Sequence, residues 1–268
     1  VQEELVIRPT QVRLTWEEPS STVAIGRREI EALPHLGNDI FRAMSLTPGV
    51  SANDITAHFR VHGGRSDEVK IELDGQELYE AFHLKDYDDA LSVVSADTLA
   101  GLTLSTGGYP VSEGDRMSGV LDMRTRSPEG RLHATLSASL LAFAASGSGL
   151  LQQGRGDWLA QARVGSIDLA SRLFRQEDPS YADLFGRLSL RPTPRQGLRG
   201  NALLTSDALR FDETNDEGFK VRDTEYENAY LWLTHQGTIG RNTLVETRLA
   251  WSEVARDRLG SELEEEGE

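Results

Sequence analysis

The C-terminal half of the chain, residues 130–268, alternates between apolar and polar residues with a period of two. In one segment the leucines fall on one face and the charged or hydroxyl residues on the other: Asp183, Leu184, Arg187, Leu188, Ser189, Leu190 and Arg191. A helix, with about 3.6 residues per turn, would mix the two sets on every face, so the alternation predicts strands. We predict strands at about 132–140, 141–147, 157–168, 182–191, 198–210, 227–236 and 243–255.

Two kinds of sheet alternate in this way: a soluble sheet with its polar face in water, and a membrane barrel with its apolar face in lipid. The predicted strands are about ten residues long, which suits a membrane-spanning strand better than a soluble one. After the first hairpin, short connections (RPTPRQG, TIGRN) alternate with long polar ones (ASRLFRQEDPSY, RFDETNDEGFKVRDTEYEN). Aromatic residues lie near the predicted strand ends, as interfacial aromatics do: Trp158, Tyr181, Phe211, Tyr226, Tyr230 and Trp251. These features favour the membrane barrel, with the soluble sheet as the alternative.

The composition argues against several other classes of protein. The formal net charge of −15 disfavours nucleic-acid binding, which needs Lys and Arg against the phosphates. The chain has no cysteine and therefore no disulfide framework or thiolate metal site. It has no run of about 18 apolar residues that would predict a transmembrane helix. No Ser-His-Asp or Cys-His arrangement stands out, so we expect neither an enzyme nor a cofactor.

Residues 1–128 change pattern often and predict a small α+β domain. A helix begins at an N-cap at Asn38 and stops at Pro48-Gly49. Its apolar face is formed by Ile40, Phe41, Met44 and Leu46. Strands are predicted at Phe59–Val61, Val69–Leu73 and Leu102–Ser105, and a final one in SGVLDMRTR, with Asp97 capping a short helix.

The segment HGGRSD, residues 62–67, contains a glycine pair that could hold a phosphate or turn the chain. A phosphate loop needs Lys-Ser or Lys-Thr after its last glycine and then a helix, whereas Arg-Ser-Asp-Glu and a strand follow here. We therefore predict a structural turn. His58 and His62 would lie about 13 Å apart along a strand, too far for one metal ion, so no zinc site is expected.

One acidic segment, DETNDEGFKVRD, partly resembles a calcium loop. Asp212, Thr214 and Asp216 alternate as in an EF-hand, but glycine comes one position late and Asp223 replaces the usual final glutamate. A solvated acidic loop is the default interpretation, and weak calcium binding in an outer loop is the alternative.

Four motifs in the N-terminal half occur in a recognisable order: Pro48-Gly49-Val50, His62-Gly63-Gly64, Leu73-Asp74-Gly75 and the run Ser118–Met123. Their order and spacing resemble the plug of a TonB-dependent outer-membrane receptor. His62 replaces the arginine that usually precedes the glycine pair, and Glu113-Gly114 replaces the commoner Tyr-Gly. The positions that the resemblance assigns to plug structure are Pro48, Gly49, Gly63, Gly64, Arg65, Asp74, Gly75, Gly107, Gly108, Gly114 and Gly119.

The resemblance implies an α+β plug domain followed by antiparallel strands of a transmembrane β-barrel. We expect an N-terminal extension at 1–19, a plug at 20–128 and about seven barrel strands at 129–268. An open strand edge is not tolerated in lipid, so we also expect this to be a fragment of a barrel that continues beyond Glu268.

The family also carries an N-terminal TonB box, which adds a strand to the periplasmic protein TonB. The residues that resemble it are Glu3, Glu4, Leu5, Val6, Ile7, Arg8 and Pro9. An ordinary strand or linker is the alternative. The implied function is uptake of a siderophore, metal chelate, cobalamin or oligosaccharide through the outer membrane, with the N-terminus in the periplasm and the inner-membrane proton gradient as driving force. A soluble periplasmic β-rich binding or scaffolding protein is the alternative.

The resemblance places the segment YEAFHLKDYDD at the plug apex, facing the outside. The ligand contacts proposed in this segment are Tyr79, Phe82, His83, Asp86 and Tyr87. A second turn that the resemblance points upward adds Asn53 and Asp54. The alternative is that Phe82 and Leu84 anchor the loop on the barrel wall. Binding of a small-molecule or oligosaccharide ligand and anchoring are equally compatible with the sequence.

Overall fold

A computed structural model of the chain describes residues 22–32, 39–52, 56–85, 89–109, 113, 117–128, 130, 132–139, 142–151, 155–165, 179–215, 218–240 and 242–262. Most of these residues lie in strands, and the two larger sheets have five and seven strands. No helix in this part of the chain is long and apolar enough to cross a membrane.

The N-terminal part, residues 22–125, consists of short helices and short strands. It opens with β1 (Thr22–Gly26), which runs directly into α1 (Arg27–Ala32). The elements that follow are α2 (Ile40–Ala43), a 3₁₀ turn (Met44–Leu46), β2 (Val50–Ala52), β3 (Phe59–Val61), a 3₁₀ turn (Ser66–Glu68), β4 (Val69–Leu73), β5 (Gln76–Glu77), β6 (Phe82–His83), β7 (Leu91–Ser92), a 3₁₀ turn (Ala96–Thr98), β8 (Leu99–Ser105) and β9 (Gly119–Thr125). The five-stranded sheet has the order β1-β8-β9-β4-β5, with β4 and β9 parallel, while β2–β3 and β6–β7 form separate pairs.

The helix predicted after residue 38 is present but shorter than expected. Ile40, Phe41 and Met44 are fully buried, as predicted, whereas Leu46 is 62% exposed. The α-helix gives way after one turn to a 3₁₀ turn, which has about three residues per turn. The change in spacing moves Leu46 off the buried face.

The turn before β8 is fastened from two directions. Ser95, rather than the predicted Asp97, is its N-cap, because the Ser95 hydroxyl accepts a hydrogen bond from the Asp97 amide at 3.4 Å. At the start of α1, Arg27 Nη1 donates at 2.9, 3.2 and 2.9 Å to the carbonyls of Ala96, Asp97 and Leu99. The end of the edge strand β1, which forms five residue pairs with β8, is therefore tied to the start of β8.

The C-terminal part forms a seven-stranded sheet in which each strand pairs antiparallel with the next, as the alternation predicts. The strands are β10 (His133–Ala138), β11 (Ala142–Leu150), β12 (Gly156–Gly165), β13 (Ser180–Thr193), β14 (Gln196–Asn215), β15 (Gly218–Ile239) and β16 (Thr243–Glu262). The last three strands have 20, 22 and 20 residues, longer than the predicted ranges 198–210, 227–236 and 243–255.

The segment predicted as a long polar loop, RFDETNDEGFKVRDTEYEN, is instead the end of a hairpin in which β14 and β15 stay paired. Asp212 and Thr214 lie in β14, and Asp223 lies in β15 opposite Arg210. The backbone at these positions is paired in two strands and does not run around a loop, as the EF-hand interpretation requires. Asp216 lies outside the described residues.

The seven-stranded sheet has a polar inner face and an apolar outer face. The inner face packs on the N-terminal part through a shared core, to which the sheet contributes Leu159, Phe185, Leu203, Tyr230 and Trp232. Buried polar side chains of the sheet include Asp183, Arg187, Asn201, Thr205, Asp207 and Asn228. Exposed apolar side chains on the outer face include Leu184, Leu188, Leu204, Leu231, Leu233 and Trp251.

Three tyrosines that we expected at a membrane interface point inward instead. Tyr181, Tyr226 and Tyr230 are buried on the inner face of the sheet. The strands extend beyond their predicted ends, so Tyr226 and Tyr230 lie well inside β15. Trp251, by contrast, is half exposed on the outer face.

The glycine pair of HGGRSD turns the chain between β3 and β4. Gly63 has a φ of 76°, which glycine adopts without strain. The Gly64 amide donates to the Val61 carbonyl at 2.9 Å and so closes the turn instead of pointing at an anion. Gly64 itself is required by space, because a Cβ there would lie 2.6 Å from the Cβ of Ser118.

Alanine substitutions at Gly63 and Gly64 separate the backbone requirement at the first position from the steric requirement at the second. Gly64→Ala should lower the free energy of unfolding by about 1–3 kcal/mol through overpacking, and Ser118→Gly should recover part of it. Gly63→Ala should cost about 1–2 kcal/mol through its left-handed backbone, with no recovery from Ser118→Gly. Urea unfolding of the single and double variants measures both couplings, and equal recovery in the two backgrounds would contradict the steric role of Gly64.

Candidate functional site

Strand β6 is two residues long and sends its side chains to opposite sides. The Phe82 ring lies 5.4 Å from Phe41 and 4.2 Å from His58, within the N-terminal part. His83 points the other way, toward the inner face of the seven-stranded sheet, and is 0% exposed. Leu84 follows with a φ of 60°, a conformation unfavourable for leucine, so its surroundings must hold it there.

His83 lies between two carboxylates of the sheet. Its Nδ1 is 2.9 Å from Asp207 Oδ2, and its Nε2 is 3.2 Å from Asp183 Oδ2. The other oxygen of Asp207 accepts a hydrogen bond from the Leu84 amide at 2.9 Å. Burial by itself lowers the pKa of His83, but Asp207 and Asp183 outweigh burial and raise that pKa above its usual value. The end of β6 is thus held through both side chain and backbone.

A buried arginine extends this network to other elements. Arg163 Nε donates to Asp183 Oδ2 at 2.6 Å, and its Nη2 donates to the Ser92 carbonyl at 2.5 Å. The amides of Ser92 and Phe41 donate to the two oxygens of Asp39 at 3.2 and 2.9 Å. Burial raises the pKa of Asp39, although these hydrogen bonds oppose the effect. The network therefore links α2 and β7 to β12 and β13.

The Asp-Gly turn after β4 contacts the sheet at a second place. Asp74 accepts hydrogen bonds from the Thr125 amide at 3.1 Å and from the Thr125 hydroxyl at 2.5 Å. The same hydroxyl oxygen accepts from Arg187 Nη1 at 2.6 Å, and Arg187 Nη2 donates to Asp157 at 2.6 Å. This contact joins the last strand of the N-terminal part, β9, to the sheet.

A groove of about 490 Å³ lies between the 79–85 segment and one end of the sheet. Its lining includes Tyr79, Phe82, Lys85, His58, Tyr226 and Arg256. Tyr79 is 60% exposed, and the Tyr226 ring has Lys85 Nζ at 5.7 Å and the Arg256 guanidinium at 5.0 Å. Aromatic faces beside cations offer a ligand both stacking and electrostatic contacts.

A second hollow of about 450 Å³ adjoins this groove and shares His58, Ser66 and Asp89 with it. His58 Nε2 lies 3.1 Å from Asp89 Oδ2. On the other side, the Tyr230 hydroxyl accepts a hydrogen bond from the Glu80 amide at 2.9 Å and positions the loop that carries the groove's aromatic residues. The two hollows together place polar groups beside aromatic rings.

The structure brings together part of the predicted ligand set. Tyr79 and Phe82 line the groove, as ligand binding would require. His83 differs from the prediction, because it is buried against the sheet and does not line the groove. Leu84 is also buried, so the alternative of anchoring describes these two residues. The remaining predicted contacts are Asn53, Asp54, Asp86 and Tyr87, and they lie outside the described residues. Residues 3–9, which resemble a TonB box, also lie outside them.

The described part of the chain holds no group of three or more His, Asp or Glu side chains placed to bind a metal ion. Sequence reasoning did not single out Arg163, Asp183, Asp207 or Asp39. The one available signal was the full charge of Asp183 and Asp207 on the polar face of predicted strands. Ser and Thr suffice for a face turned to water, whereas buried charges require charged partners.

The architecture defines a class of fold. A long-stranded antiparallel sheet with an exposed apolar outer face covers, with its polar inner face, a unit of short helices and a five-stranded mixed sheet. This is the fold of the TonB-dependent outer-membrane receptors.

Several solved structures share this fold. A variant of the ferric enterobactin receptor of Pseudomonas aeruginosa in complex with enterobactin has a TM-score of 0.64 at 14% identity over 87% of this chain. The siderophore receptor PirA of Pseudomonas aeruginosa has a TM-score of 0.63 at 17% identity over 91%, and the copper transporter OprC 0.62 at 10% over 91%. This chain spans 41%, 42% and 48% of their lengths. No family model and no curated protein sequence matches the chain.

Arg163→Met should weaken the contact between the N-terminal part and the sheet. The change removes the cation that contacts Asp183 and the donor to the Ser92 carbonyl, and loss of one partner from a buried ion pair costs about 3–5 kcal/mol. Arg195→Met, in the exposed turn between β13 and β14, is the matched control and should change little. Urea unfolding of the full-length protein measures both, and equal free energies for the two variants would contradict the structural role of Arg163.

Proposed function

We propose that this chain is part of a TonB-dependent receptor that takes up a scarce nutrient through the outer membrane of a Gram-negative cell. The polarity of the seven-stranded sheet carries the proposal. A soluble sheet turns its apolar face to a core and its polar face to water, whereas here the apolar face is the exposed one. This arrangement supports the membrane interpretation over a soluble periplasmic binding or scaffolding protein.

Outer-membrane lipid is the proposed partner of the apolar face. Exposed apolar residues occur on adjacent strands, with Leu188, Leu204, Leu233 and Trp251 on β13, β14, β15 and β16. An apolar surface of this breadth favours aggregation in water, and contact with acyl chains removes that cost. On the N-terminal side of this apolar surface, the outer face of β15 is acidic, with Glu227 and Glu225 exposed.

In this proposal residues 20–128 are the plug and residues 129–268 are the first strands of the barrel that encloses it. The buried contacts of His83, Arg163 and Arg187 support the assignment, because they pair polar groups of the sheet with groups of the N-terminal part. Receptors of this type have about 22 strands and a plugged lumen. The chain would supply seven of these strands.

Residues 1–19 are proposed to extend into the periplasm, with residues 3–9 as the TonB box. The segment leads directly into β1, which is an edge strand of the plug sheet. Pairing of the box with TonB would couple the plug to the proton gradient of the inner membrane. No covalent chemistry is involved, and no cofactor is proposed.

The groove beside Tyr79 and Phe82 is the proposed ligand site, together with Asn53, Asp54, Asp86 and Tyr87. Its aromatic rings and cations suit a siderophore or metal chelate, and solved structures with this fold include siderophore receptors and a copper transporter. Cobalamin and oligosaccharides are further candidates. A growth and binding screen of the full-length receptor against these four ligand classes identifies the cargo.

Leu233→Arg tests the membrane assignment. Leu233 lies on the outer face of β15, and an arginine near the middle of the bilayer should cost about 2–4 kcal/mol of folding free energy in lipid vesicles. Ile239→Arg, at the end of the same strand, is the matched control and should cost about 0–1 kcal/mol. Equal losses at the two depths would contradict a membrane-spanning sheet.

A peptide of residues 1–20 tests the TonB box. Isothermal titration calorimetry should detect binding to the periplasmic domain of TonB. Val6→Pro should weaken it by about 1 kcal/mol or more, since proline removes a backbone donor from strand addition. Val6→Thr keeps that donor and the β-branched side chain, so it should bind much like the parent. If the proline peptide binds equally well, residues 3–9 are not the box.

A further inference from the structure

The two ring nitrogens of His83 both face carboxylate oxygens. A neutral imidazole has one donor nitrogen and one acceptor nitrogen, and an ionised carboxylate has no proton to donate. The contacts to Asp207 at 2.9 Å and Asp183 at 3.2 Å are therefore both hydrogen bonds only if each ring nitrogen carries a proton. The geometry is that of an imidazolium cation.

Charged groups from three strands of the sheet surround His83. Asp183 and Asp207 approach it from β13 and β14, and the Tyr181 ring lies 4.6 Å away on β13. From β12, Arg163 contacts Asp183, and the Ser92 amide donates to Asp39.

We propose that His83 is a proton-dependent latch, which in its doubly protonated form ties the 79–85 segment to the seven-stranded sheet and on loss of one proton releases it. In the neutral form one ring nitrogen presents a lone pair to a carboxylate, so that contact becomes repulsive. The same Asp207 accepts a hydrogen bond from the amide of Leu84, whose φ is strained. Movement of Asp207 away from a neutral His83 would therefore also weaken the contact that holds Leu84 in this conformation. Neither the identity of the cargo nor TonB enters into this latch.

The position of the latch connects it to the groove. Phe82 and His83 are neighbours on β6, with Phe82 on the groove and His83 on the sheet. A rotation of β6 that moves Phe82 also moves the imidazolium away from its carboxylates. The latch therefore predicts that the 79–85 segment is attached when His83 carries both ring protons and released when it carries one.

The pH dependence follows from the raised pKa of His83. A histidine whose pKa is higher in the folded state than in the unfolded state stabilises the fold fully below the unfolded value of about 6.5. That contribution disappears as the pH rises through the folded-state pKa. Each unit between the two values changes the attachment equilibrium by about tenfold.

Amide hydrogen exchange of the full-length receptor in lipid nanodiscs tests the latch. After correction for intrinsic exchange, protection of residues 79–85 should fall as the pH rises from 6 to 10, while protection of β13 stays constant. His133→Gln, at an exposed histidine on β10, is the control and should behave like the wild type. Protection of residues 79–85 that is independent of pH in the wild type would overturn the proposal.

Two variants sharpen the test. His83→Gln should lower the protection of residues 79–85 and abolish its pH dependence. Asp207→Asn keeps an acceptor for the Leu84 amide but removes one carboxylate from His83, so release should move to a lower pH. If the midpoint in Asp207→Asn equals that of the wild type, the latch is not controlled by His83.

Nuclear magnetic resonance of the wild-type receptor with ¹⁵N-labelled histidine supplies a test that needs no variant. Both ring nitrogens of the buried histidine should carry protons at pH 7, and one should lose its proton in the range where residues 79–85 lose protection. A singly protonated ring at pH 7 would overturn the proposal.

Discussion

Buried charges on the inner face of the seven-stranded sheet determine how the rest of the protein is arranged. An unpaired charge in such a position costs several kcal/mol, so Asp183, Asp207 and Arg187 cannot face a purely apolar partner. The N-terminal part supplies some of their partners, through the ring of His83 and the hydroxyl of Thr125, and the sheet itself supplies others. The apolar core between the two parts is correspondingly mixed with polar contacts. Each part depends on the other for the pairing of its polar groups.

The order of strands followed from the period-two pattern, because alternation on both sides of short turns leaves little choice of pairing. The positions of the strand ends did not follow from this pattern. The sequences of residues 211–215 and 218–228 are as polar as a loop, so no alternation reveals the strands that these residues form. The direction of Tyr181, Tyr226 and Tyr230 was also missed, since a tyrosine near a strand end looks the same whether it faces lipid or protein. Leu46 lies off the buried face because the α-helix changes to a 3₁₀ turn, and the spacing of apolar residues in the sequence does not show this change.

The candidate site was predictable in part. Tyr79 and Phe82 were selected because aromatic residues cluster in one short segment; both line the groove, and their binding of a ligand stays a prediction. The role of His83 was missed because its partner Asp207 is 124 residues away in sequence. Alternation assigns Asp207 to a face, but the register between the sheet and β6 depends on the packing of two separate parts. A pattern within one segment cannot contain that information.

Strand β1 has a mechanical consequence for the fold. It lies at the edge of the five-stranded sheet, and its first residue pair joins Thr22 to Ser105. A load that pulls its N-terminal end away from the sheet acts on this pair first, so the ladder peels one pair at a time and resists little. Peeling stops at Arg27, where one guanidinium holds several carbonyls at once. The edge strand therefore detaches and extends before the load reaches the core around Ile30.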